Sequence, residues 1–219
     1  IWSYAFTLMQ VPLALVTSSI GMAILPKVAA HAARGNFARV RTIATLSIGT
    51  VIWMMSPIAA LGALFAFDAV RLVVGGSIEV LSVAATADLL RLLLLGLVAH
   101  GIISVAIRLF YGLGDTLRPT IAEVCGCLVI FGFATLWFPA FGVSGIAMAL
   151  PFGTWIQAIA LVGLLARRSQ IVHAATILKM IIFAVAASLA SGGLAVLVTS
   201  SFMEPARQAG VLTGTVAAG

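Results

Sequence analysis

The sequence has 219 residues, of which 63% are hydrophobic and 8% are charged, and its mean hydropathy is +1.23. So few polar side chains cannot cover a water-facing surface, which excludes a soluble globular domain. The apolar stretches lack the strict alternation of barrel strands, so their backbone groups must be satisfied within helices. The composition therefore predicts an all-α fold, a polytopic transmembrane helix bundle.

The net charge of +6 comes from basic residues in short clusters between the apolar stretches. This distribution indicates membrane topology and argues against a nucleic-acid partner. Cys125 and Cys127 would lie about 200° apart around a helix and could not hold one metal ion together. No phosphate loop, nucleophile arrangement or paired carboxylates appears in the sequence. We therefore expect no metal, no cofactor and no enzymatic activity.

Six stretches have roughly the 20 apolar residues that a membrane-crossing helix needs. In chain order they cover approximately residues 1–25, 43–66, 86–111, 119–137, 143–166 and 176–200. A seventh begins near Val211 and reaches Gly219 after too few residues to cross. We therefore expect about six complete spans, a truncated seventh, and a chain that is part of a longer protein.

Lysine and arginine in short connections predict the orientation, because they stay on the cytoplasmic side. Nine of the twelve cationic residues lie in the first, third and fifth connections. They are Lys27, Arg34, Arg39, Arg41, Arg108, Arg118, Arg167, Arg168 and Lys179. The first residue is therefore predicted to face outward, and the first long connection to face inward.

Within that first connection, Pro26 is predicted to begin a short helix, Gly35 to end it and Asn36 to cap the next one. Two interpretations stay open: a basic connector that touches anionic headgroups, or a functional gate. Three prolines inside the apolar stretches leave a similar choice between transport hinges and ordinary tolerated bends. They are Pro12, Pro57 and Pro151.

The third stretch contains the first candidates for a substrate or coupling site. Arg91 follows Asp88 by three residues near the outer end, so the two can pair on one helix face. His100 lies nine residues later on the predicted helix, on roughly the opposite face. A local salt bridge and a packed histidine are the simpler interpretations, and a substrate-binding or proton-relay role is the alternative.

The fourth and fifth stretches add one candidate and one packing surface. Glu123 lies about 6 Å of helical rise from the inner end of its span, where Arg108 or Arg118 could neutralise it. A structural ion pair and an ion-coupling or headgroup site both remain open. In the next span, small residues predict close contact with another helix. They are Gly142, Gly145, Ala147 and Ala149.

The third connection carries the sharpest motif, RLFYGLGDTLRP over residues 108–119. Aromatic residues suit the headgroup interface, glycines permit a tight turn, and an aspartate can cap the following helix. A structural turn thus explains the motif without a ligand. Its motif residues are Arg108, Phe110, Tyr111, Gly114, Asp115, Thr116 and Pro119.

This connection resembles the R-x-F-Y-x-x-x-D-T-x-x-P pattern of the MurJ/MviN lipid II flippase family. Further similar features are Tyr4-Ala5 before Leu8-Met9-Gln10 and Pro12, Ile24-Leu25-Pro26 before the basic Gly35-Asn36 loop, Ser56-Pro57, and the glycine-rich stretch 142–147. The resemblance covers nearly the whole chain. It implies the fold of the multidrug/oligosaccharidyl-lipid/polysaccharide exporter superfamily, which has two six-helix lobes.

On that resemblance, residues 1–166 would form most of the second lobe, as family spans 8–12, and residues 167–219 would form span 13 and the start of span 14. The implied partners are membrane lipids, the missing N-terminal lobe, and lipid II, an undecaprenyl-pyrophosphate-linked precursor. The implied activity is flipping of lipid II to the outer leaflet of the bacterial inner membrane by alternating access, for peptidoglycan biosynthesis. Residues 175–200 could form one wall of the groove that the family is thought to use for the lipid tail.

The sequence departs from the family at Phe6-Thr7, where many relatives carry an Asp-Arg pair. Alternatives therefore stay open: export of another polyprenyl-linked glycan, a drug or cation antiporter of the same superfamily, or a noncatalytic membrane scaffold for cell-wall enzymes. Arginines in the missing lobe would favour an anionic lipid, and buried carboxylates would favour a cation antiporter.

Overall fold

A computed structural model of the chain describes residues 2–74 and 80–169, together with Lys179 and Ile182. Within these ranges the chain forms seven α-helices and no strand, as the composition predicts. They are α1 (Trp2–Ala33), α2 (Phe37–Leu64), α3 (Ala66–Val74), α4 (Val80–Leu94), α5 (Leu97–Gly112), α6 (Leu117–Phe141) and α7 (Val143–Ser169). The predicted stretch 176–200 and the truncated seventh span lie outside the described residues, apart from those two isolated positions.

Four helices in the described ranges, α1, α2, α6 and α7, are long and apolar enough to cross a membrane. The third predicted stretch is not one helix. Residues 83–94 of α4 and all of α5 are together long and apolar enough for a fifth, broken crossing, bent by 45° at Leu95 and Gly96. The multispan architecture is thus confirmed, and the continuous helix predicted over 86–111 is wrong.

The first basic turn ends α1 in the geometry typical of a helix terminus with a left-handed glycine. Gly35 has a φ of +68°. Its amide donates to the carbonyl of Ala32, and the amide of Asn36 donates to that of His31, both at 3.0 Å. The Asn36 side chain then accepts from the amide of Arg39 at 3.2 Å and caps α2. These bonds satisfy backbone groups that a helix end leaves free, as predicted for Gly35 and Asn36.

Pro26, by contrast, does not begin a helix. It lies inside α1, which continues to Ala33, and Pro12 also lies inside this helix. A proline removes only one intrahelical hydrogen bond. The apolar contacts of Ile24 and Val28, which are both buried in the core, hold the flanking turns in place. The prediction of a separate short helix after Pro26 is therefore wrong.

The second basic turn repeats the first one. Gly114 has a φ of +72°. Its amide donates to the carbonyl of Tyr111 at 3.0 Å, and the amide of Asp115 donates to that of Phe110 at 2.9 Å. The Asp115 carboxylate accepts from the amide of Arg118 at 3.2 Å. Both turns thus have the pattern Gly-(Asn/Asp)-x-x-Arg, and the predicted turn and cap in the 108–119 motif are confirmed.

Glycines bring α5 close to its two neighbours in the core. A Cβ atom added at Gly112 would lie 2.7 Å from Cγ1 of Val28 on α1, and one added at Gly101 would lie 2.5 Å from Cγ1 of Val51 on α2. Both distances are too short for a real contact, so only glycine fits at these positions. The contact at Gly112 places the ends of α1 and α5 side by side. The two basic turns that follow these helices therefore lie at the same end of the bundle, as the cation count predicts.

Helices α6 and α7 form a tight hairpin. Gly142, with a φ of +58°, is the single residue between them, where the sequence suggested a longer connection. A side chain at Gly145 would meet the backbone oxygen of Trp137 at 2.7 Å, and Ala147 and Ala149 are fully buried. The small residues of the fifth predicted span therefore permit close packing, as expected.

Candidate functional site

Arg91 lies at the end of the bundle opposite the basic turns. Its guanidinium contacts the Asp88 carboxylate at 2.6 Å, which confirms the predicted local pair. Its Nε also donates to the carbonyl of Ala63 at 3.1 Å, one residue before the C-terminus of α2. A cation is favourable at a helix C-terminus because carbonyl groups there lack intrahelical partners. Arg91 thus connects α4 to the end of α2.

His100 belongs to α5, beyond the break that separates this helix from α4. The prediction that His100 and Arg91 occupy opposite faces of one straight helix is therefore wrong, because the 45° bend at Leu95 and Gly96 lies between them. His100 is half-buried. Its amide donates to the Gly96 carbonyl at 2.9 Å, in the first turn of α5.

Arg108 is not a loop residue. It lies one turn inside α5, and its guanidinium crosses to α1, where Nη1 donates to the carbonyl of Thr17 at 2.8 Å. The guanidinium lies directly over the backbone of Gly21. Only a glycine leaves room for this approach. Arg108 thus acts as a polar link between two central helices, which spacing alone did not indicate.

The other residues of the 108–119 motif divide between core and surface. Phe110 and Pro119 are buried, and the Phe110 ring packs in the core of the bundle. Tyr111 is 45% exposed. The Thr116 carbonyl accepts from the Thr120 hydroxyl at 2.8 Å, within the first turn of α6.

Glu123 is exposed on α6. Neither predicted partner reaches it: Arg108 bonds to α1, and Arg118 pairs with Asp115 at 3.5 Å. Within the described part of the chain Glu123 has no ion pair. The predicted neutralisation of Glu123 is therefore wrong, because local helix geometry directs Arg118 back to its own cap.

The break in the third crossing is a feature that the sequence analysis missed. The indole Nε1 of Trp155 on α7 donates to the Leu95 carbonyl at 3.0 Å. A side chain at Gly96 would lie 3.2 Å from the Pro151 backbone and 3.1 Å from the Thr154 hydroxyl. Helix α7 therefore holds the break through Trp155 and fits closely against it at Gly96. A glycine within an apolar helical stretch was the only signal available.

A second missed feature is a cleft of about 280 Å³ on the surface between α1 and α2. Its lining is mostly aliphatic, with one cation and two hydroxyl groups. The lining residues are Ile20, Ala23, Ile24, Lys27, Ile43, Leu46, Ser47 and Thr50. We call this the α1–α2 cleft. Lys27 is exposed at its basic end.

The polar groups of the described residues do not form a single cluster. No group of three or more histidine, cysteine, aspartate or glutamate side chains in the described ranges could hold a metal ion. The polar groups are instead spread between the end that carries Arg91, the break and the basic turns. Such an arrangement suits a helical transporter, in which broken helices border substrate sites and basic turns face one compartment.

Comparison with known proteins identifies the family. The family described as "Lipid II flippase MurJ" matches residues 1–214. A probable lipid II flippase MurJ of Rhizobium tropici is 26% identical over 194 residues, which cover 88% of this chain and 36% of that protein. One of Rhizobium meliloti (strain 1021) is 27% identical over 168 residues, covering 76% and 31% respectively. The chain thus spans about a third of the length of the curated relatives it matches.

A solved structure has the same fold. It is a lipid II flippase MurJ in an inward closed conformation, and the TM-score is 0.72 at 18% sequence identity. The alignment covers 92% of this chain and 46% of that structure. The helical arrangement described above therefore matches a little under half of that structure.

Proposed function

Because this chain belongs to the lipid II flippase MurJ family, we propose that its parent protein moves lipid II from the inner to the outer leaflet of the bacterial inner membrane. The observation that carries this proposal is the family match over residues 1–214, together with a multi-pass helical fold shared with a solved flippase. Lipid II is a pyrophosphate-linked lipid. Its movement across the hydrocarbon core therefore requires a protein pathway for the polar head.

In this proposal residues 1–166 form most of the second lobe, and residues 167–219 add the helices that follow it. Alternating access moves the two lobes around a site near the membrane midplane. A broken crossing fits this mechanism, because interrupted helices border the substrate sites of transporters. The N-terminal lobe of the same protein completes the pathway.

Arg91, His100 and Glu123 remain our candidates for substrate contact or ion coupling. Ionisable side chains in membrane helices are costly and are often functional. Glu123 is the strongest of the three, because it lacks an ion pair within the described residues, whereas Arg91 already has two partners. His100 lies four residues beyond Gly96, so its side chain would move if the angle of the bend changed.

The experiment is lipid II translocation in proteoliposomes that contain the full-length parent protein. We expect robust flipping by the wild type. Variants Arg91→Ala and Glu123→Ala test the candidate residues, with Arg71→Ala as a matched charge removal outside the crossing helices. Loss of flipping in a folded Glu123→Ala protein, with Arg71→Ala active, would assign Glu123 to the mechanism.

A folded wild-type protein that moves no lipid II would contradict the proposed substrate. The same vesicles would then be tested with other polyprenyl-linked glycans and with drug cations. A protein that transports none of these, yet still binds cell-wall enzymes, would be a scaffold.

A further inference from the structure

We propose that the α1–α2 cleft binds one anionic phospholipid of the inner leaflet, with its phosphate at Lys27 and part of one acyl chain along the aliphatic walls. This lipid would be a fixed component of the lobe and not the transported molecule. The proposal uses the orientation that the cation count predicts. It does not depend on which lipid the parent protein transports.

The cleft runs parallel to the two helices. Lys27 is six residues from the end of α1 at Ala33, and Ile43 is six residues from the start of α2 at Phe37, so both lie about 9 Å from the turn. At the other end, Ile20 and Thr50 lie about 20 Å from it. The cleft therefore extends about 10 Å along the membrane normal, from Lys27 toward the midplane.

This depth matches the boundary between headgroups and hydrocarbon. Helices α1 and α2 have 32 and 28 residues, which correspond to about 48 and 42 Å, while a hydrocarbon core is about 30 Å thick. Both helices therefore extend beyond the core. With the Gly35 turn among the headgroups, Lys27 lies at the level of the phosphates and the aliphatic lining lies in the acyl-chain region.

The charge distribution favours an anionic ligand. The sequence has no aspartate or glutamate before Asp68, so neither α1 nor α2 supplies a carboxylate for Lys27. Within the described ranges Lys27 has no ion pair, and Arg34 and Arg39 on the adjoining turn are also exposed. A negative headgroup would reduce the repulsion among these cations.

The lining decides between a phosphate ion and a lipid. The walls are largely aliphatic, and the Thr50 hydroxyl already donates to the Leu46 carbonyl at 2.9 Å. A free phosphate ion would contact one cation without a set of hydrogen-bond donors arranged around it, whereas a lipid would contact the same cation and also bury its acyl chain. A single lysine matches the single charge of a phosphodiester better than the larger charge of a pyrophosphate. We therefore assign the cleft to a phospholipid and not to a pyrophosphate-linked lipid.

The test measures phosphatidylglycerol bound to the full-length parent protein in detergent, by native mass spectrometry, with phosphatidylcholine of the same chains for comparison. We expect Lys27→Gln to weaken phosphatidylglycerol binding about fivefold, the effect of one lysine at an anionic lipid surface. Arg34→Gln removes the same charge outside the cleft and should change binding less than twofold. Ala23→Leu fills the cleft without touching the charge, and should weaken both lipids.

Equal losses in Lys27→Gln and Arg34→Gln would overturn the proposal, because they would show diffuse attraction to the basic turn. Unchanged binding in a folded Ala23→Leu protein would also overturn it. Displacement of the bound phosphatidylglycerol by stoichiometric lipid II would assign the cleft to the transport pathway instead. Thermal unfolding of each variant verifies that the protein is folded.

Discussion

The Nη1 atom of Arg108 on α5 lies 2.8 Å from the carbonyl oxygen of Thr17 on α1, and the guanidinium covers the backbone of Gly21. This contact joins residues that are 91 positions apart in the chain. Polar contacts between membrane helices contribute about 0.6 kcal/mol on average and up to about 1.7 kcal/mol. The Arg108 link therefore has a measurable but limited effect on the packing of α1 against α5.

We expect Gly21→Ala to lower the free energy of unfolding by about 1–3 kcal/mol, because the new methyl group overlaps the guanidinium. In an Arg108→Ala background the same substitution should cost little, since the obstructing group is gone. A double-mutant cycle on the full-length parent measures this coupling. Gly132→Ala is the control, because a side chain there meets nothing within 4 Å. Additive costs for Gly21→Ala and Arg108→Ala would contradict the contact.

Trp155→Phe should destabilise the parent protein by about 1 kcal/mol, because the Leu95 carbonyl loses the indole N–H that bonds to it. Phenylalanine is smaller than tryptophan, so lost packing adds to the loss of the hydrogen bond. Trp53→Phe provides the comparison, since Trp53 is half exposed and has no such bond within the described residues. Thermal unfolding in detergent distinguishes them, and equal effects of the two substitutions would argue against the role of Trp155 at the break.

Gly96→Ala tests whether α7 packs closely against the same break. Its backbone angles, φ −88° and ψ −9°, are open to any residue, so strain cannot arise from the backbone. The new methyl group would lie 3.2 Å from the Pro151 backbone, which cannot move as a side chain can. We expect a loss of about 1 kcal/mol or more. Stabilisation, as expected for alanine in an uncrowded helix, would show that α7 does not press on the break.

Asp115→Ala should cost about 1 kcal/mol through loss of the cap on α6, and Asp115→Asn should cost less. The reason is visible in the first basic turn, where Asn36 makes the equivalent bond to the amide of Arg39 at 3.2 Å. Asn36→Ala should therefore have a similar effect to Asp115→Ala. Chemical unfolding of the four proteins, wild type included, gives the ranking. If Asp115→Asn lowered the stability as much as Asp115→Ala, the charge of Asp115 and not its capping hydrogen bond would be what stabilises the helix.

Glu123→Gln should leave the free energy of unfolding within about 0.5 kcal/mol of the wild type, because the exposed carboxylate has no ion pair in the described structure. On the proposed coupling role it should nevertheless lower lipid II translocation severalfold. The two measurements on one preparation separate folding from transport. Normal flipping by this variant would remove Glu123 from the mechanism.

Much of this fold follows from local properties of the sequence. Hydropathy locates the crossings, and the turns at Gly35 and Gly114 follow from the conformational freedom of glycine and the capping ability of the residue after it. The Asp88 and Arg91 pair follows from helical spacing alone. Each of these depends on interactions within a few residues.

The misplaced residues depend on contacts between distant helices. Pattern analysis paired Arg108 with Glu123 because they are close in sequence, whereas the space above Gly21 on α1 accommodates its guanidinium. At the break, the Leu95 carbonyl accepts a hydrogen bond from Trp155, sixty positions away. Phe110 is an aromatic residue of the kind found at membrane interfaces, and only the tertiary packing places its ring in the core. Single-chain periodicity carries no information about such partners.

The hairpin of α6 and α7 has a consequence for biosynthesis. In the described chain, only 6% of the most apolar segment of α6 is buried. Helix α7 is its principal neighbour. One uncharged residue, Gly142, joins the two helices, and the nearest charged side chains along the chain are those of Glu123 and Arg167. Nothing charged must therefore be transferred across the bilayer when this turn passes through it. Helices α6 and α7 can therefore enter the membrane together, as one hairpin.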